Sequence, residues 1–342
     1  MALTISMSRI DVADWITTAL SLPIAGLNTL YMQGTHGFYF RIGDDLYGVT
    51  ARHVLFRDDQ GNAAYTYKPS TPKKKVVVMG TQAFTDFLAS IQAKIGDLKY
   101  RLTALRQMAA SFEKRANNGN EQAARDLATA RESIRETEES VEEHRKFFAQ
   151  MKKDWSDVDN RVIGHVVWAP PTTGLVDPYG YTLDVCVIKL DESKFYPNSK
   201  GNVLDLGAEI DPGVFMSKMN ARDDPQSEFD YPVDRLFELR KIMTAAQVKT
   251  PNNNQDLNGE PVQYVIKRGL TTFTTIGRLS RGGDSGALIV GHEGEFVAML
   301  TSGAGFIDSC DITYGTLIDW LWNDKIKPQF PGANLYFDIA DD

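Results

Sequence analysis

The chain has 342 residues, 42% hydrophobic and 24% charged, with 10% aromatics. That is too long for one hydrophobic core and too apolar for a disordered chain, so two domains or one domain with an insertion are expected. A net charge of −8 and a pI near 5.3 argue against a nucleic-acid binder that relies on a broad basic face. Two cysteines, Cys186 and Cys310, cannot build a disulfide framework and suggest a reducing compartment.

The first ten residues lack a charged segment followed by an apolar run and a cleavage site. The stretch Trp15 to Leu30 is apolar but interrupted by Thr17, Thr18, Ser21, Pro23 and Gly26, which argues against a membrane span. A soluble cytoplasmic protein is expected, with no membrane and no nucleic-acid partner.

From Gly34 to about Met79 the pattern is β. Phe38–Ile42, a Gly43-Asp44-Asp45 turn and Leu46–Thr50 read as a hairpin, and Val76–Met79 as a buried strand. From about Phe84 to Trp155 the period changes. Ile91, Ile95, Leu98, Leu102, Leu105, Ala109 and Phe112 form a heptad seam. After the turn signal Asn117-Asn118-Gly119-Asn120, a second seam runs through Leu127, Ala130, Ile134, Thr137, Val141, His144, Phe148, Met151 and Trp155. Two helices of roughly 30 residues joined by a short polar turn must be antiparallel, each on the order of 45 Å long. His144 on the seam reads as a tolerated coil histidine rather than a ligand.

The β texture then returns. Arg161–Trp168 and Tyr181–Leu190 read as strands, and Tyr231 to about Ala246 as a helix with Pro232 in its first turn. Short strands follow at Val262–Lys267, Thr271–Gly277, Ala287–Val290, Phe296–Thr301 and Ile312–Leu317, then a helix from Leu317 to Lys325. The helical pair is therefore an insertion within a β region. This gives a mainly β chain organised as 1–83 with 155–200, an inserted antiparallel coiled coil at 84–154, and 201–342 with a linker helix and a C-terminal helix.

Three short segments carry chemistry. Gly283-Asp284-Ser285-Gly286 sets a serine between glycines, as an exposed nucleophile on a tight turn requires. Thr50-Ala51-Arg52-His53 sets a histidine at a strand end. Asp184 opens the apolar run Val185–Leu190, where a carboxylate is costly unless it is hydrogen-bonded. Alone, each has an ordinary reading: a surface turn, a structural histidine, a strand-capping aspartate. Together they follow the order His, Asp, Ser. The 131 residues separating His53 from Asp184 fall to about 60 once the inserted helices are set aside.

At these motifs the chain resembles the trypsin-like serine peptidases of the chymotrypsin fold (S1-type, PA clan). It is more closely similar to predicted intracellular basidiomycete fungal proteins of that type, which carry a coiled coil between the His and Asp motifs. The likeness also covers Val162–Val166, Asn202–Gly207, Val265–Thr272, Thr275–Gly277 and Asp311–Tyr314. It implies two six-stranded β-barrels with His53, Asp184 and Ser285 as a catalytic triad in the cleft between them. Backbone N–H groups of Gly283 and Ser285 would form the oxyanion hole, and Thr301, Ser302 and Gly303 would bind substrate backbone. The implied activity is that of a serine endopeptidase on a peptide or protein substrate. The competing reading is a catalytically weak or inactive pseudopeptidase whose coil recruits a partner or self-associates.

Two departures stand out. No activation site is recognisable upstream of Gly34, so either Asp284 has a partner other than a new N-terminus or the oxyanion hole is not formed constitutively. The connector Arg278–Gly282 is much shorter than in the resembling proteins, so the second barrel is expected to lack or borrow a strand, and hydrolysis of ordinary peptides to be weak. Leu279, six positions before Ser285, gives no support for cleavage after Lys or Arg. The histidines 36, 53, 144, 165 and 292 lack metal-ligand spacing, and no cofactor is expected.

Overall fold

The computed structural model describes residues 18–57, 59, 61–195, 201–220, 229–249, 262–269, 272–278, 286–303 and 313–336. They divide into two compact units, one of residues 82–160 and one of the segments on either side.

The first unit is a helical hairpin, α1 (Thr81–Asn117) and α2 (Glu121–Trp155). Gly119, at φ +83°, turns the chain between them. The Asn120 side chain then accepts the Ala123 N–H at 2.9 Å and caps α2. At 1.5 Å per residue each helix is about 50–55 Å long. Antiparallel packing is fixed by Phe87 against Phe147, with ring centroids 6.2 Å apart, and by the pairs Arg106–Glu138 and Arg131–Glu113. In α1 the seam is buried at Ala83, Phe87, Ile91 and Ile95, and half-buried at Leu98, Leu102, Leu105 and Phe112. In α2 the seam turns in Phe147, not Phe148 as the heptad read; His144 is buried, and its Nδ1 faces the Ser140 carbonyl at 2.7 Å.

The second unit holds the sheets. Its first part runs β1 (Pro23–Gly26), β2 (Thr29–Thr35), β3 (Phe38–Ile42), β4 (Asp45–Thr50), β5 (Tyr65–Thr66) and β6 (Lys75–Val78). It resumes with β7 (Val162–Ala169), β8 (Thr173–Val176), β9 (Tyr181–Leu183), β10 (Cys186–Leu190) and the short α3 (Glu192–Phe195). The main sheet has the order β2-β1-β6-β7-β10-β4-β3, with β5 on β7, and its pairings are antiparallel. No ladder closes it among the described residues, yet its two ends, β2 and β3, are consecutive in the chain with only His36 and Gly37 between them. Phe38, Phe40, Leu46, Val49 and Ile188 fill its core, each contributing about 1.5–3 kcal/mol by burial.

Beyond α3 come β11 (Val203–Asp205), α4 (Pro212–Met219), β12 (Leu236–Glu238), β13 (Lys241–Ile242) and α5 (Ala245–Lys249). Then follow β14 (Tyr264–Gly269), β15 (Phe273–Arg278), β16 (Leu288–Gly291), β17 (Glu295–Gly303) and β18 (Thr313–Leu317). The chain continues through α6 (Ile318–Trp320), a π-helical turn Leu321–Ile326 and α7 (Lys327–Gln329). The second sheet has the order β13-β17-β16-β14-β15 with β18 on β17; β13 runs parallel to β17. Asn202 acts as a latch between segments: its Oδ1 accepts the Tyr39 N–H at 2.7 Å, and its Nδ2 donates to the Tyr39 and Leu335 carbonyls.

Three expectations need correction, and one stretch of strand was passed over. The chain is mixed rather than mainly β, about 40% helix and 31% strand, because the inserted helices are 37 and 35 residues long. The linker helix from Tyr231 is absent: Leu236–Glu238 pairs with Val203–Asp205, and strand pairing overrides the local helical pattern there. The strand Tyr181–Leu190 is broken at Asp184 and Val185. Part of the apolar stretch before Leu30, passed over as a strand, forms β1 and the start of β2. Of the short connector Arg278–Gly282, only Arg278, the last residue of β15, lies among the described residues.

Candidate active site

β4 and β10 are paired antiparallel with Cys186 opposite Thr50 and Val187 opposite Val49. Beyond these partners both strands end, so the residues just past Thr50 and just before Cys186 emerge side by side. On one side the chain forms the single 3-10 turn Arg52–Val54; on the other stands Asp184. The Asp184 carboxylate takes both groups that His53 offers. Oδ1 accepts the His53 backbone N–H at 3.2 Å, and Oδ2 lies 2.5 Å from Nδ1. The Asp184 side chain is 5% exposed and that of His53 36%. A carboxylate this buried needs such partners. With Nδ1–H donated to Asp184, a neutral imidazole carries its lone pair on Nε2. The break in the predicted long strand therefore has a local cause: Asp184 leaves the ladder to bond His53.

Ser285 and Gly283 lie outside the described residues. The residue after the serine, Gly286, is described. Its N–H donates to the Leu300 carbonyl at 2.7 Å, which fastens it to β17. Its φ is +84°, and a Cβ there would lie 2.6 Å from the Thr35 carbonyl oxygen and 2.9 Å from Thr50 Oγ1. Only glycine fits this conformation and this gap. Gly286 thus contacts the ends of β2 and β4, three residues before His53. Thr50 Oγ1 itself donates to the Thr35 carbonyl at 2.8 Å. Gly37 completes the close approach, since a Cβ on it would lie 3.0 Å from the Gly286 carbonyl oxygen.

Of the three residues read as a substrate-binding segment, Thr301 is buried in β17 and its hydroxyl donates to the Tyr314 carbonyl at 3.4 Å. Ser302 and Gly303 pair with Tyr314 and Thr313 of β18. Cys186 is fully buried, and burial pushes its thiol well above the ordinary range, as suits a core residue. Cys310 lies outside the described residues. The remaining histidines are dispersed: His36 packs on Tyr39, His165 on Tyr67, and His292 Nδ1 meets Gln263 Nε2 at 3.0 Å. Among the described residues, no group of three or more His, Cys, Asp and Glu side chains could hold a metal, and no helix is long and apolar enough to cross a membrane.

Sequence reasoning passed over Arg52, buried beside His53, and the contact of Gly286 with Thr35 and Thr50. The signal for Arg52 was its own chemistry: a long cation among small residues just before the histidine. No protein-family model matches the chain, and no curated protein matches it.

Proposed function

We propose that the chain is a cytoplasmic serine endopeptidase of the chymotrypsin-like class, with His53, Asp184 and Ser285 as its triad. The observation that carries this reading is the His53–Asp184 pair: a buried carboxylate bound to Nδ1 and to the backbone N–H of a half-exposed histidine. Gly286 supports the third member, because it contacts Thr35 and Thr50 and is covalently bonded to Ser285, about 3.8 Å away from Cα to Cα. The succession of β2 and β3 at opposite ends of the first sheet supports a barrel of six strands, in which β2 and β3 are one strand bent at His36 and Gly37 and β1, β6, β7, β10 and β4 are the other five.

In this reading Ser285 Oγ attacks the scissile carbonyl and its proton passes to His53 Nε2. Asp184 holds the imidazole tautomer and stabilises the imidazolium. The tetrahedral oxyanion takes N–H bonds from Gly283 and Ser285. The C–N bond breaks as His53 protonates the leaving amine, and water, deprotonated by His53, releases the acyl group from Ser285. Thr301, Ser302 and Gly303 bind the substrate backbone. No cofactor takes part, and the helical hairpin is the surface through which a protein partner or a second copy is engaged.

A fluorophosphonate probe tests this reading, since stable labelling requires an activated serine. Labelling is expected on the full chain and is lost in Ser285→Ala and His53→Ala, both of which stay folded. A folded wild type that never labels would leave the chain a pseudopeptidase acting through its hairpin.

A further inference from the structure

Arg52 precedes His53 and is only 3% exposed. Its guanidinium donates to two carbonyls, Ala63 at 2.9 Å and Ala169 at 3.2 Å, and lies 4.2 Å from the Phe56 ring centroid. Among the described residues no carboxylate forms an ion pair with it. A buried guanidinium without a carboxylate is an expensive way to fill space, and a methionine would pack there without that cost. What the guanidinium does, and an apolar side chain cannot, is join three segments. One is the turn that carries His53, one is the segment at Ala63, and one is the end of β7. Ala169 pairs with Tyr65 of β5, and β7 pairs along β10, which starts two residues after Asp184.

We propose that Arg52 is a positioning residue: by donating to Ala63 and Ala169 it holds the turn Arg52–Val54 where both oxygens of Asp184 reach His53. The inference rests on the peptidase reading of that pair. The planar guanidinium reaches two acceptors that diverge from one point, which a lysine ammonium on its flexible stem does less well. Burial pulls the Arg52 guanidinium below its ordinary value, while Cys186 and Asp184 oppose that shift.

The test compares full-length Arg52→Lys, Arg52→Gln and wild type by the low-field proton signal of His53 Nδ1, the His53 ring titration and the rate of fluorophosphonate labelling. In Arg52→Gln the low-field signal should vanish, as in Asp184→Asn, and His53 should titrate at lower pH than in wild type. Labelling should slow on the order of 10²-fold, the scale of an ångström misplacement in a reacting site. Arg52→Lys should fall between the two. A folded Arg52→Gln with the wild-type signal and titration overturns the proposal. If Arg52→Gln does not fold, wild-type values in Arg52→Lys make Arg52 a support of the fold alone and overturn it too. A wild type that shows the low-field signal but never labels overturns the peptidase reading, and the resonance still decides the role of Arg52.

Discussion

The helical hairpin and the sheet unit differ in how their polar side chains are paired. In the hairpin the ion pairs are exposed and repeated: Arg135 reaches Glu132 and Glu139 along one helix, and Arg106 and Arg131 reach across to Glu138 and Glu113. The sheet unit has exposed ion pairs too, such as Arg57–Asp59 and Arg240–Glu238, but it also holds buried polar side chains with single sets of partners: Asp184 on His53, Asn202 on Tyr39 and Leu335, Arg52 on Ala63 and Ala169. Repeated surface pairs share their contribution among equivalents and are individually dispensable. A buried group with one set of partners has no substitute, so its loss is expected to cost more.

The sharpest break of that contrast is Asp184→Asn. The amide still fits, but on the proposed peptidase reading it no longer favours the His53 tautomer whose Nε2 would accept the serine proton. Labelling by a fluorophosphonate should fall about 10⁴-fold, the scale of that change in a serine triad, with thermal unfolding little altered. A loss under tenfold would show that His53 does not work through Asp184.

In the hairpin the largest effect should come from packing. Ile91 is fully buried, whereas Leu102 is half-buried on the same seam. Ile91→Ala should cost about 2–5 kcal/mol in denaturant unfolding of the helical signal, and Leu102→Ala distinctly less. Equal costs would mean that the seam is uniformly packed and that the grading of burial along α1 has no energetic consequence.

The same contrast explains what could be read from the residues alone. The hairpin was legible because its rule is local: Ile91, Ile95, Leu98 and Leu102 repeat at heptad spacing, and Asn118, Gly119 and Asn120 mark the turn. Only the choice between Phe147 and Phe148 failed, where two adjacent aromatics compete for one inward position. In the sheets, individual strands such as Phe38–Ile42 were legible from their turns, but partners were not. Nothing local tells Leu236–Glu238 that Val203–Asp205 awaits it, so the stretch after Pro232 read as helix. His53 and Asp184 were legible as motifs in order, 131 residues apart. The partners of Arg52 and the fit of Gly286 against Thr35 and Thr50 were not, because both depend on which strand ends meet.

A third test uses acid. His36 is fully buried on Tyr39, and its two ring nitrogens have no hydrogen-bond partner among the described residues. Burial pulls its pKa from 6.5 to about 3. Below pH 6.5 the unfolded chain takes up a proton that the folded chain refuses until about pH 3, so stability falls as pH drops through that window. His165 and His292 are lowered by burial as well and act in the same direction. His36→Leu should therefore flatten, without abolishing, the loss of stability between pH 7 and pH 4. An unchanged slope in denaturant titrations would mean that His36 is protonated, or already lost from its site, in the folded protein.

The smallest effect should be Arg135→Ala on the hairpin surface. Arg135 is bonded to Glu132 at i,i+3 and to Glu139 at i,i+4, and these carboxylates raise its pKa further above its ordinary value. Both partners are more than half exposed, so water and salt replace most of what the substitution removes. Alanine also has the higher helix propensity, which offsets part of the remainder. The melting temperature should stay within error of wild type at physiological salt, and any difference should shrink further as salt is raised. A marked, salt-insensitive loss would place Arg135 among the buried and unrepeated contacts, and the division drawn between hairpin and sheets would not hold at that position.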